Sequence, residues 1–210
     1  MADICSCYSS EFVSSNPQGV AMRVSLICST ALGGLLALAG LGASAQCVSL
    51  TTVGAAATQN FDTLAIAGTT NNLTITGWFL TETGGGARDN EQYAFDNGGS
   101  NTGDTYSYGT TAATERALGG LQSGTLIPVI GACFTNNTGT TLGSLDVAYT
   151  GEQWRLGTAA RTDQLDFQFS LNATSLATGT WTDVNALTSC RRSPVQPVHA
   201  TAMPPVTVPP

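Results

Sequence analysis

The sequence predicts an all-β fold, an antiparallel β-sandwich, and three features carry the prediction. First, apolar and polar residues alternate strictly in two segments. Leu145, Val147 and Tyr149 share one side, with Asp146 and Ala148 on the other; Leu165, Phe167, Phe169 and Leu171 share one side, with Asp166, Gln168, Ser170 and Asn172 opposite. Side chains repeat every two residues along a strand, so each segment can bury one face and wet the other. Second, short runs rich in β-branched and aromatic residues recur between Gly- and Asn-rich turns, at the ~8–12-residue spacing of all-β domains. Third, nothing between Gln46 and Thr188 carries the period of an amphipathic helix.

Composition sets the outer bounds. The chain has 210 residues, 42% hydrophobic and 10% charged, which is enough for one domain with a proper core. All seven basic residues are Arg, and fourteen acidic residues set the net charge at −7. With no basic stripe to neutralise phosphates, nucleic acid is not an expected partner.

Residues 22–45 read as a signal peptide, a helical export leader. Met22 and Arg23 form a short positive region, 26–41 is apolar with small residues interspersed, and Ala43-Ser44-Ala45 fits the small-x-small cleavage pattern, so Gln46 is the expected mature N-terminus. The apolar run is shorter than the ~20 residues of a membrane span and is broken by glycines, so no stable span is expected after cleavage. Residues 1–21, with Asp3 and Glu11 ahead of the positive region, read as a non-native extension upstream of a start at Met22. Residues 46–188 form the sandwich domain. Residues 189–210 hold most of the prolines, the only His and the pair Arg191-Arg192, and read as a disordered tail.

Cleavage leaves Cys47, Cys133 and Cys190. An odd number allows at most one internal bridge, and Cys47–Cys133 is the expected pair because Cys190 lies in the tail.

Along the domain, 48–60 is an extended lead-in. Strands are expected over 60–64, 73–80, 91–96, 105–109 and 126–136, with a tight Gly-punctuated segment over 115–121. Gly84-Gly85-Gly86 marks a loop; no Lys-Ser/Thr follows it, so it is no phosphate cradle. Pro128 belongs at a strand start, an edge or a bulge. The run Tyr149-Thr150-Gly151-Glu152-Gln153-Trp154-Arg155 reads as a polar turn joining the two alternating strands.

An ordered set of segments covers residues 60–187: Phe61-Asp62-Thr63-Leu64, Gly77-Trp78, Tyr106-Ser107-Tyr108-Gly109, Glu115-Arg116-Ala117-Leu118-Gly119, Phe134-Thr135-Asn136-Asn137-Thr138-Gly139, the run 149–155, and Gly179-Thr180-Trp181-Thr182-Asp183-Val184. As a set it resembles the jelly-roll-like β-sandwich module of bacterial secreted and surface proteins, often followed by a C-terminal sorting anchor. The resemblance implies a jelly-roll-like fold, an exported product and an uncharacterised role. It also implies further strands after 184–187, ending in an acidic run. The Pro-rich, Arg-Arg tail stands there instead, so this copy reads as C-terminally truncated and its sandwich as incomplete.

Candidate ligand-binding residues are Glu152, Trp154, Arg155, Tyr106 and Tyr108. On a strand Glu152 and Trp154 share a face, a polar–aromatic patch of the kind that takes sugars; the structural alternative has Trp154 in the core and Glu152 paired with Arg116 or another Arg. Asp89, Glu91, Asp96 and Asp104 are the candidate Ca²⁺ ligands, since Ca²⁺ takes carboxylate oxygens, although no DxDxDG loop is present and solvated turn carboxylates are the simpler reading. No cofactor other than such a Ca²⁺ is expected. No catalytic residue is nominated: the single His lies in the tail, and there is no GxSxG. The expectation is therefore an exported, non-catalytic protein, secreted or at the cell surface, with a structural or adhesive role. The alternatives are a carbohydrate-binding module, Ca²⁺-assisted or not, and, more weakly, a glycoside hydrolase, which needs only two suitably spaced carboxylates. Extracellular glycan and cell-surface or matrix components are the partners these readings imply.

Overall fold

The computed structural model describes residues 4–8, 20–26, 46–142, 145–155, 165–187 and 196–200. These are all-β, with no helix among the described residues. The strands are β1 Ile4–Tyr8, β2 Val20–Leu26, β3 Val48–Leu50, β4 Trp78–Thr83, β5 Tyr93–Asp96, β6 Asp104–Tyr108, β7 Ala117–Leu121, β8 Ile127–Asn136, β9 Val147–Arg155, β10 Leu165–Ser170, β11 Thr182–Asp183 and β12 Gln196–Ala200. One sheet runs β12-β9-β1-β7-β6-β5; the other runs β11-β10-β2-β8-β3, with β4 also on β8.

The sheets are mixed rather than purely antiparallel. β2 lies parallel to both β8 and β10, β3 is parallel to β8, and β5 is parallel to β6. The β5–β6 connection is short for a parallel pair, which ordinarily needs a crossover of about a dozen residues. Here the loop is folded back on itself: the Asp96 carboxylate accepts from Gly98 N at 2.9 Å and Ser100 N at 3.1 Å, and the Tyr106 hydroxyl donates to Thr102 O at 2.8 Å.

One core cluster draws on both sheets. Tyr93, Leu118 and Tyr149 enter it from the first; Trp78, Ile130, Ala132, Phe167 and Phe169 enter from the second. The predicted alternation explains this placement. Tyr149 is fully buried, Leu145 and Val147 pack against the same cluster, and Phe167 is buried two residues before Phe169. Leu171, past the end of β10, is 47% exposed and does not join them. A second cluster, Ala94, Tyr106, Tyr108, Ala117 and Leu121 with Trp154 packed on it, belongs to the first sheet alone.

Several local expectations are corrected. Residues 149–155 are no turn: they are the body of β9, bonded to β1 on one side and β12 on the other. β1 holds the polar run extended over 150–155, with β12 joining as far as Gly151, and the period of two simply continues through it. Phe61-Asp62-Thr63-Leu64 is a turn, not a strand. Leu64 N donates to Phe61 O at 2.9 Å, and Phe61 adopts φ 61°. A bulky residue in that region carries strain; burial of its ring edge-on to Trp78, centroids 4.7 Å apart, offsets it. The strand expected over 73–80 begins only at Trp78.

At the termini, Met22–Leu26 of the expected signal helix is extended instead, within β2. The run Val20-Ala21-Met22-Arg23-Val24-Ser25-Leu26 alternates in sequence and includes β-branched residues, which favours a strand. Residues 27–45 lie outside the described residues. Residues 196–200 of the expected disordered tail form β12. It sits at the end of its sheet, where Pro197 can be accommodated because the outer side of an edge strand needs no ladder donor. The rest of the tail, with Cys190, lies outside the described residues. Pro128 is the second residue of β8; pairing with β2 starts only at Val129, so its missing N–H breaks no bond on that side.

Candidate functional site

The structure separates the predicted site residues into two neighbourhoods. The first surrounds Glu152, Trp154, Arg155, Tyr106 and Tyr108, at the end of β9 and on β6. Trp154 Nε1 donates to Glu152 Oε2 at 2.8 Å, so the shared face of a strand becomes a direct bond. The Trp154 ring stacks on Tyr108, centroids 6.1 Å apart. Glu152 is therefore partnered by Trp154 and not by Arg116, and burial pushes its carboxyl up to about 6 against the bond from Trp154.

Tyr106 and Tyr108 are 2% and 0% exposed, so neither ring is available to stack on a sugar. The Tyr106 hydroxyl is held by Thr102 O and by Ser100 Oγ at 2.9 Å, and burial pushes its ionisation up to about 12. Burial pushes Tyr108 up as well, and its hydroxyl has no hydrogen-bond partner among the described residues. Arg155 reaches across to the β5–β6 loop. It donates to Ser100 O at 2.6 Å, to Gly99 O at 3.3 Å and to Asn101 Oδ1. Gly98 makes this docking possible: its φ is 89°, and a Cβ there would lie 2.5 Å from Trp154 O. The patch clamps a loop onto a strand end.

The second neighbourhood contains the four expected Ca²⁺ ligands, and it does not bring them together. Asp89 Oδ2 accepts from Gly85 N at 2.7 Å; Glu91 accepts from Glu82 N at 3.2 Å and Thr81 Oγ1 at 3.3 Å; Asp96 holds the β5–β6 loop; Asp104 faces Arg88. Among the described residues, no group of three or more His, Cys, Asp or Glu side chains is arranged to hold a metal.

What lies there instead is a buried carboxylate pair. Glu82 and Asp104 are 3% and 1% exposed. Glu82 Oε1 accepts from both Thr105 N and Thr105 Oγ1 at 2.8 Å, and Oε2 accepts from Asn90 N at 3.3 Å. Asp104 Oδ1 accepts from Thr105 N at 2.9 Å. Its Oδ2 meets Arg88 Nη1 at 3.0 Å as an ion pair, without hydrogen-bond geometry. Burial and the facing Glu82 charge push Asp104 up to about 7, with Arg88 pulling it back. Two carboxylates at one site do not both ionise readily, so Asp104 keeps its proton to a higher pH than a solvated Asp. The pair is shut away from solvent. Sequence reasoning missed Glu82 and Arg88. The signal for Glu82 was the spacing Trp78, Leu80, Glu82 on one face of β4.

Arg116 is a further buried charge. It is fully buried, donates from Nε to Ser107 Oγ at 2.9 Å and from Nη2 to Ser107 O, and lies 4.8 Å from the Phe95 ring centroid. Nη1 has no hydrogen-bond partner among the described residues, and burial pulls the guanidinium down.

Cys47 and Cys133 are joined by a disulfide, which ties the segment just past Gln46 to β8. An open groove of about 310 Å³ runs beside it, between Gln46, Val48, Gln59, Trp78 and Phe134. No family model, curated protein or solved structure matches this chain.

Proposed function

We propose that the chain is exported and acts outside the cytoplasm as a jelly-roll-like β-sandwich with a structural or adhesive role at the cell surface, not as a catalyst. The observation that carries this reading is the Cys47–Cys133 disulfide. Such bonds persist in oxidising compartments, and this one closes one residue past the expected cleavage point. A core drawn from two sheets supports the sandwich form. The use made of the polar and aromatic candidates supports the role. Glu152, Trp154 and Arg155 fix a loop, Tyr106 and Tyr108 are core, and Glu82 and Asp104 hold backbone.

The test is the full chain with a C-terminal epitope tag in a secreting bacterial host. Antibody access on intact cells or recovery from the medium, with cell-to-surface attachment that rises with expression, is the expected result. Retention in the cytoplasm counts against export. A glycan array run with and without chelator covers the alternative: selective binding to one sugar class would replace the adhesive role with carbohydrate recognition, and chelator sensitivity would bring Ca²⁺ with it.

A further inference from the structure

Two strands from the first 26 residues occupy central places, one in each sheet. β1 lies between β9 and β7, and β2 lies between β10 and β8. β1 matches Ile4–Tyr8 to 150–155 on β9 and pairs Cys5 and Ser6 with Gly120 and Gly119 on β7. β2 matches Val20–Ser25 to Leu165–Ser170 on β10 and Ala21–Leu26 to 129–134 on β8. Removing both strands cuts each sheet in two. The first becomes β12-β9 and β7-β6-β5; the second becomes β11-β10 and β8 with β3 and β4. The halves would then be joined by the shared core, by the Arg155 bonds to the β5–β6 loop and by the Tyr149 hydroxyl bond to Leu187 O, while inner strand edges stood unpaired.

We infer that residues 46–187 form a strand-accepting unit with one central vacancy in each sheet, and that the N-terminal segment 4–26 is the extended peptide that fills both. The chemistry of the ligand is that of its own β2: backbone donors and acceptors on both edges, in parallel register, with Val20, Met22, Val24 and Leu26 alternating against Ala21, Arg23 and Ser25. Its setting rests on the proposed cleavage after Ala45 and on translation from Met1, which makes residues 1–21 part of the chain in place of the extension read from the sequence. That cut removes both strands, so the processed chain adheres by taking an extended strand in trans. The adhesive role thereby acquires a partner class, an alternating apolar peptide strand.

The experiment uses the full chain with Cys5→Ser, Cys7→Ser and Cys28→Ser, so that no disulfide joins the pieces, and a protease site placed within 36–40. After cutting, size exclusion is expected to keep the two pieces together. A fluorescent peptide of residues 1–26 with the same serines is expected to exchange into the complex. The same peptide with Val24→Pro loses a ladder donor in a strand bonded on both sides and is expected to bind at least ~10-fold more weakly. Release of the N-terminal piece on cutting, or equal exchange by the Val24→Pro peptide, overturns the inference. The cut is made in purified protein, so failure of export and failure of strand exchange are read separately.

Discussion

Asp104→Asn probes the buried carboxylate pair. Asp104 is 1% exposed, and its carboxyl is pushed from 3.8 to about 7 by burial first and by Glu82 second. The folded chain therefore keeps a proton that the unfolded chain has lost. For an acid whose folded value is raised, stability is full below the unfolded value and falls as pH climbs towards the folded one, here from about pH 4 to about pH 7. At ~1.4 kcal/mol for each tenfold change in proton affinity, holding Asp104 charged at pH 8 costs up to ~4 kcal/mol. The 3.0 Å pair with Arg88 reduces this, so Asn is expected to gain ~2–3 kcal/mol at pH 8 and little at pH 5. In a domain of this size that is a Tm rise of ~4–12 °C. Glu91, Glu115 and Glu152 are also raised by burial and act in the same direction, so the comparison is the pH slope of the variant against that of the parent. Thermal unfolding followed by circular dichroism at pH 5 and pH 8 supplies both slopes. A variant less stable than the parent at pH 8 would mean that Arg88 favours the charged form, and an unchanged slope would mean that Asp104 carries no extra proton; either refutes the reasoning.

Three further outcomes follow from local geometry. Replacing Cys47 and Cys133 together by Ala opens a loop set by an 86-residue separation and is expected to lower stability by up to ~4–5 kcal/mol, seen as a fall in Tm that reductant reproduces in the parent. Gly109→Ala places a Cβ 1.9 Å from Arg116 Nη1 and 2.8 Å from Glu115 O, so a loss of at least ~2 kcal/mol is expected in urea denaturation, with an unchanged midpoint as the contrary result. In a spectrophotometric pH titration, Tyr106 is expected to ionise only near pH 12, and burial raises Tyr108 above the ordinary phenol range as well; two additional phenols titrating near pH 10 in folded protein would contradict their burial.

The parts of this fold that were legible in the sequence are those written in local period. Leu145, Val147, Tyr149, Phe167 and Phe169 show a clean alternation, and they pack together in or against the shared core. The bounds of β6 and β8 lie within one residue of the runs that predicted them, because β-branched and aromatic letters cluster there. What failed to show was non-local. Thr150, Gly151, Glu152 and Gln153 look like turn residues, and only bonding from β1, joined by β12 as far as Gly151, keeps them extended. Phe61 takes a left-handed φ that no propensity assigns to Phe; Trp78, far along the chain, fixes it. Glu82 and Asp104 meet because β4 and β6 bring them together, and each alone reads as an ordinary solvated carboxylate. The burial of Tyr106 and Tyr108 was hidden for a related reason: alternation places them on a common face, yet it does not say that the face is covered.

The export reading is tested most directly by mass spectrometry of the protein recovered from outside the cells of a secreting host, alkylated without reduction and then digested. The account predicts a chain beginning at Gln46 and a linked peptide joining Cys47 to Cys133. A product that begins at Met1 or Met22 and remains in the cytoplasm, with both cysteines alkylated, would contradict it.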